Sequence, residues 1–139
     1  MPSVMAIGVE AFPLDTYPVE LMREYLQANP GSFLVAEDKG EVVGYIIGSP
    51  DGTRARIESM AVSLRWRRKG IGQAMLNRVL QQFKEAGSEE VELQVRANNI
   101  PAISLYEAAG FSSERLVPDY YEPGSSANVM TMQLQPQEK

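Results

Sequence analysis

LQVRANNIPAISLYEAAGF, residues 93–111, reads as a strand, a turn and a helix. Val91, Leu93 and Val95 alternate with Glu92, Gln94 and Arg96. That period of two marks a strand over Val91–Arg96. Asn99 carries the side-chain oxygen that accepts bonds from the first amides of a helix. Pro101 loses no bond in a first turn, and Gly110 suits the left-handed residue that ends one. The stretch therefore predicts a strand feeding a helix over Asn99–Ala109.

Upstream stands LRWRRKGIGQAML, residues 64–76, which places four of the thirteen basic residues within Arg65–Lys69 of a chain of net charge −5. A helix from about Gly70 to Ala86 follows, with Ile71, Met75, Leu76, Val79, Leu80 and Phe83 as one apolar stripe. A strand over Ala55–Val62 precedes the basic run. Before that, Ser32–Glu37 and Val42–Gly48 read as two strands joined by Asp38-Lys39-Gly40. Ser49-Pro50-Asp51-Gly52 reads as a second turn.

A helix is expected over Pro18–Ala28, with Val19, Met22 and Leu26 inward and Asn29-Pro30-Gly31 stopping it. Val4–Phe12 is a short apolar stretch ending at Pro13. Phe111–Val117 and Asn128–Leu134 read as late strands, and Gln135–Lys139 as a polar tail. The order hairpin, strand, helix, strand, helix predicts an α/β (α+β) fold with helices on a mixed sheet. At 139 residues, 44% of them hydrophobic, residues 1–139 fit a single domain.

The composition removes several chemistries. With no Cys there is no thiolate nucleophile, disulfide or Cys-ligated zinc, and with no His the commonest general base and metal ligand is missing. No metal is therefore expected. The apolar runs are too short to span a bilayer and the start lacks a signal-peptide pattern, so the expected location is cytoplasmic. The net negative charge disfavours broad nucleic-acid binding.

At the basic junction, a helix N-terminus offers amides without intrahelical acceptors and the positive end of the helix dipole. Glycines at 70 and 72 remove Cβ atoms that would hold a diphosphate away from those amides. A solvated basic turn with glycines for a tight connection explains the same residues equally well. The run lacks the Lys-Ser/Thr ending of a P-loop, and Met75 breaks a G-x-G-x-x-G spacing.

Two motifs together resemble a known family. Arg68-Lys69-Gly70-Ile71-Gly72 is similar to the R/Q-x-x-G-x-G/A element of the GNAT superfamily of acyl-CoA-dependent N-acyltransferases. Leu93–Phe111 resembles the second signature of its ribosomal-protein-alanine N-acetyltransferase (RimI-like) branch. The matches are Leu93, Val95, Arg96, Asn99, Ala102, Ile103, Leu105, Tyr106, Gly110 and Phe111. Tyr120-Tyr121 followed by Ala127, Val129 and Met130 is similar to the ending of that branch. The likeness runs from about Phe33 to Leu134.

The resemblance implies a central, mostly antiparallel mixed sheet that splays between two parallel strands, flanked by about four helices, with acetyl-CoA entering at the splay. The family's usual first strand is not evident here, which leaves a sheet edge for another segment or a partner subunit to cover. By position, Met60, Ala61 and Val62 would offer backbone bonds to the pantetheine and acetyl group. Arg68, Lys69, Gly70, Ile71, Gly72 and Gln73 would hold the diphosphate, with Arg65 and Arg67 steering the cofactor or reaching its 3′-phosphate. Asn99 would bond the pantetheine arm. Tyr106 would sit beside the sulfur as general acid. Phe12-Pro13 and Tyr120-Tyr121, on an early and a late loop, would flank the acceptor's entrance.

The chain departs from the family at the base. Related enzymes carry Glu where this chain has Gln94, and often acidic residues where it has Ser125-Ser126. Glu58 acting through water is the favoured substitute and Glu92 the other candidate, with Glu58 pairing to Arg56 as the structural alternative. An α-amino group of pKa about 8 is neutral to roughly a tenth at pH 7, and a lysine at about 10.4 only to a few parts in ten thousand. A weak base is therefore tolerable for an α-amine and poor for lysine. The expected activity is acetyl transfer from acetyl-CoA to the N-terminal α-amine of a protein or peptide, by direct attack in a ternary complex. The alternatives are a small-molecule amine acetyltransferase and a non-catalytic CoA-binding domain, as monomer or homodimer.

Overall fold

The computed structural model describes residues 2, 4–6, 19–28, 33–67 and 69–134. Phe12, Pro13, Arg68 and the tail at 135–139 lie outside them. The described strands are β1 (Phe33–Asp38), β2 (Glu41–Asp51), β3 (Arg54–Val62), β4 (Glu90–Arg96), β5 (Ser112–Glu122) and β6 (Ser125–Gln133). The helices are α1 (Val19–Ala28), α2 (Ile71–Glu85) and α3 (Ile100–Ala109), with helical residues also at 4–6 and a 3-10 turn over Leu64–Trp66. The strands hydrogen-bond in the order β1-β2-β3-β4-β6-β5. This is the expected mixed sheet: β3 and β4 are parallel, and the β1–β2, β4–β6 and β5–β6 ladders are antiparallel. Among the described residues no strand precedes β1.

The chain divides into two compact units, Met1–Ser49 with Glu58–Gln82, and Pro50–Ile57 with Phe83–Lys139. In the first, β1 and β2 meet through Lys39 at φ 52° and Gly40 at φ 85°. Two successive positive φ angles make the hairpin turn that matches strand twist. Val4, Met22, Phe33, Tyr45, Ile47 and Ala61 form a buried cluster, with Tyr25 packed against it. α1 therefore turns Met22 and Tyr25 inward. Leu26, expected on that face, is exposed.

Gly44 lies on the opposite face of β2 from Tyr45. A Cβ there would come within 3.1 Å of Met75 Cε and 3.2 Å of the Ala61 carbonyl, so glycine lets α2 and β3 approach closely. Met75, Leu76, Val79 and Leu80 of α2 are buried as the stripe requires. The expected turn at Ser49-Pro50-Asp51-Gly52 is shorter than read: β2 continues to Asp51, and the turn is Gly52-Thr53. Pro50 is tolerated because the described β1 ladder ends at Phe33↔Ile47, so no described β1 residue asks for its missing N–H.

In the second unit, β3 pairs with β4 from Arg54↔Glu90 to Ile57↔Leu93. Val91, Leu93 and Val95 are buried as the alternation predicts, but so is Glu92. Its carboxylate takes Arg54 Nη2 at 2.6 Å and Arg56 Nη1 at 3.1 Å. The period of two showed which side was apolar, and the two arginines of the parallel neighbour made the other side habitable for a charge. β5 and β6 run longer than expected and close through Pro123-Gly124, with Gly124 at φ 86°. That residue pair is the one a type II turn asks for.

Candidate active site

In the first unit, β3 ends at Val62 and the chain reaches α2 through the 3-10 turn. Two bonds fasten this connection: Ser63 N–H donates to the Val43 carbonyl at 2.8 Å, and Arg67 Nε donates to the Val62 carbonyl at 2.9 Å. Arg65 stands 3.6 Å from Glu41, both well exposed. The basic run thus divides. Arg67 clasps the strand end and Arg65 pairs along the surface. Lys69 is exposed beside Gly70.

Gly70 has φ 83°, a conformation that favours glycine, and nothing lies within 4 Å of where its Cβ would be. The first intrahelical bond of α2 runs from Ala74 N–H to the Gly70 carbonyl, at 3.0 Å. Gly70 is therefore the cap, and the amides of Ile71, Gly72 and Gln73 have no acceptor within the helix. They stand at the positive end of a helix dipole. The side chain of Gln73 turns along the helix, its Nε2 donating to Asn77 Oδ1 at 3.1 Å. Amides without an intrahelical acceptor, flanked by Gly70 and including that of Gly72, suit a diphosphate. Of the strand residues expected to offer backbone bonds, Ala61 is buried and Met60 and Val62 are half-buried, and the Val62 carbonyl is already engaged by Arg67.

On the same strand, Ser59 Oγ lies 3.0 Å from Tyr45 Oη. Burial pushes the Tyr45 hydroxyl above its ordinary range, and the Ser59 bond partly offsets it. Glu58 is half-buried on β3. Glu92, the other carboxylate read as a base, is clamped by two guanidiniums and is unsuited to that task. Arg56 Nη1 donates to Glu92 at 3.1 Å.

In the second unit, α3 starts as expected. Asn99 Oδ1 accepts from Ala102 N–H at 3.3 Å, and Pro101 occupies the first turn. The cap uses the oxygen and leaves Nδ2 as the donor of that side chain. At the other end Gly110, at φ 115°, donates its N–H to the Glu107 carbonyl, and Phe111 N–H donates to the Tyr106 carbonyl at 3.0 Å. These two bonds are the Schellman arrangement. Its usual apolar contact is here the Tyr106 ring against the Phe111 ring, edge to face with centroids 5.7 Å apart. Tyr106 is therefore buried and oriented by the helix stop itself.

Tyr120 and Tyr121 are not on a loop as read. They lie within β5, their rings edge to face at 5.0 Å, and the Arg96 guanidinium sits 4.4 Å from the Tyr121 centroid. Gln94 is half-buried on β4, opposite Val129 of β6.

Residues 2–111 match the model of the Acetyltransferase (GNAT) family. This chain belongs to the GNAT acetyltransferase family. An N-alpha-acetyltransferase of Sulfurisphaera tokodaii is 35% identical over 144 residues, covering 94% of this chain and 86% of that protein. The crystal structure of Ard1 from Thermoplasma volcanium superposes with a TM-score of 0.90 at 33% identity, over 96% of this chain and 90% of the other. The ribosomal-protein-S18-alanine N-acetyltransferase of Escherichia coli has the same fold, with a TM-score of 0.82 at 23% identity over 99% of this chain and 90% of that one. This GNAT chain is an acetyltransferase, and it shares its fold with the Escherichia coli protein.

Two features of this acetyltransferase do not appear among the expectations drawn from the sequence. The clasp of Arg67 on Val62 joins residues whose spacing gives no signal. The Tyr106–Phe111 contact did leave one, since a glycine followed by an apolar residue after a helix is the Schellman pattern.

Proposed function

We propose that this GNAT enzyme transfers the acetyl group of acetyl-CoA to the N-terminal α-amine of a protein or peptide. The observation that carries the cofactor side is the set of amides at Ile71, Gly72 and Gln73 without an intrahelical acceptor, behind Gly70 with open space where its Cβ would be. Lys69 and Arg68 would add charge to the diphosphate. Met60, Ala61 and Val62 would supply strand N–H and C=O groups along the pantetheine, and Asn99 Nδ2 would donate to it. For the acceptor side, support comes from the α-acetyltransferase name of the relative from Sulfurisphaera tokodaii and from the chemistry of position 94.

In the reaction the neutral amine attacks the thioester carbonyl and the C–S bond breaks. Tyr106 delivers a proton to the departing thiolate, and the proton of the attacking amine leaves through water towards Glu58. A strand N–H near Met60–Val62 steadies the developing oxyanion. Gln94 cannot accept a proton, so the enzyme relies on an amine that is already partly neutral. Phe12-Pro13 and Tyr120-Tyr121 would flank the acceptor.

The test is a peptide with a free N-terminus and an internal lysine, incubated with acetyl-CoA and mapped by tandem mass spectrometry. Faster α- than ε-acetylation is expected. Faster ε-acetylation would overturn the reading, and turnover confined to free amino acids or polyamines would move it to a small-amine enzyme. Acetyl-CoA binding without turnover on any acceptor would leave a CoA-binding module.

A further inference from the structure

The β5–β6 hairpin carries an irregularity that the reaction scheme above does not use. Val117 pairs with Ala127, and the next pair is Glu122 with Ser125. Between them β5 runs through Pro118, Asp119, Tyr120 and Tyr121, while β6 has Ser126 alone. The surplus has to leave the ladder as a bulge. Inside it, Asp119 has φ 52°, the left-handed region that aspartate enters several-fold more readily than most residues. Its carboxylate Oδ1 accepts the Gly124 N–H at 2.6 Å, reaching across the hairpin tip. Ser126 cannot follow the bulge, because its carbonyl accepts Ala97 N–H at 2.9 Å on the β4 side.

The residues displaced by this device are Tyr120 and Tyr121. Tyr121 is gripped by the Arg96 guanidinium over its ring, and Tyr120 stacks edge-on against Tyr121 while remaining 48% exposed. A regular two-residue hairpin would pair both tyrosines along β6 and send them to opposite faces. The bulge brings them together at one place.

We propose that Asp119 is a positioning residue for the acceptor: by closing on Gly124 N–H it holds the bulge that presents the Tyr120–Tyr121 pair to the incoming N-terminus. This rests on the reading above, in which those tyrosines flank the acceptor. Asp119 does not itself touch the reacting atoms. A charge-assisted bond to a backbone amide is strong enough for its loss to shift acceptor binding about tenfold.

The experiment compares Asp119→Ala, Asp119→Gly and Asp119→Asn in the full chain, with separate KM values for peptide and acetyl-CoA and with Gly124 amide exchange by NMR. Asn keeps an acceptor oxygen and tolerates the left-handed backbone, whereas Gly tolerates the backbone without the acceptor. Expected are a roughly tenfold rise in peptide KM for Ala and Gly, kcat and acetyl-CoA KM within about twofold, and near wild-type behaviour for Asn. Gly124 exchange should quicken in Ala and Gly only. An unchanged peptide KM in Asp119→Ala overturns the proposal, as does equal impairment in Asn, which would assign the effect to charge. A matching rise in acetyl-CoA KM would mean general misfolding and overturns it too. Absence of peptide turnover in the wild type is a separate result, and it overturns the acetylation reading itself.

Discussion

Tyr106 has its backbone and its ring fixed by one motif, the Gly110–Phe111 stop of α3. The hydroxyl can therefore be removed with little change to packing. Tyr106→Phe is expected to keep the fold and acetyl-CoA affinity and to lose turnover by about 10²-fold or more, the scale of a general acid. Steady-state thiol release together with titration of acetyl-CoA checks both halves. Tyr45 offers a contrast, a buried hydroxyl satisfied by Ser59 and raised in pKa by burial. A raised folded value means that the protonated form is favoured by folding. This contribution is complete below about pH 10 and is lost as pH climbs through the folded value. Tyr45→Phe should cost about 1 kcal/mol at neutral pH, the net worth of a hydrogen bond. Against the wild type, that gap should narrow in alkali, as read by denaturant unfolding from pH 7 to 11.

Among the elements, β4 shows how a strand accommodates what its pattern forbids. Glu92 is 5% exposed, and Arg54 and Arg56 from the adjoining stretch of β3 supply its counter-charge. Fully buried pairs lose about 3–5 kcal/mol when one partner is removed. Here both guanidiniums are more than a third exposed, so water screens part of that. Glu92→Gln should destabilise by roughly 2 kcal/mol, measured as a drop in the urea midpoint without change in slope. The helices were more legible than the strands. Gly70, Asn99, Pro101 and Gly110 are local signals, and α2 starts, and α3 starts and stops, beside them. Strand ends depend on the neighbour across the ladder, which is why β2, β5 and β6 extend past their expected limits and Tyr120-Tyr121 moves from a loop into β5.

For the whole molecule, binding a ligand to the folded state alone must raise stability. Acetyl-CoA at 100 times its Kd should add about 2.7 kcal/mol, which for a chain of this size raises the melting midpoint by close to 10 °C. No shift at millimolar acetyl-CoA would remove the cofactor from the account. The two ends of the strand order carry different protection against edge pairing. β5 brings Pro118, Asp119 and a bulge, and β1 ends in Glu37 and Asp38 with a register shift at Ala36/Glu37. Charges, proline and irregularity on terminal strands discourage a further chain from adding on. No helix among the described residues is long and apolar enough to cross a membrane.

The sequence by itself determined the family, the order of elements and the glycine-flanked start of α2. Each of these depends on residues close together in the chain: the glycines at 70 and 72, the Asn99 cap, and the alternation through β4. Only the tertiary structure decided what the charges and aromatics do. Arg67 closes on Val62, Glu92 sinks between Arg54 and Arg56, and Asp119 spans a hairpin tip to Gly124. Such pairings depend on register and on which strand lies beside which, and a one-residue slip in either changes every partner.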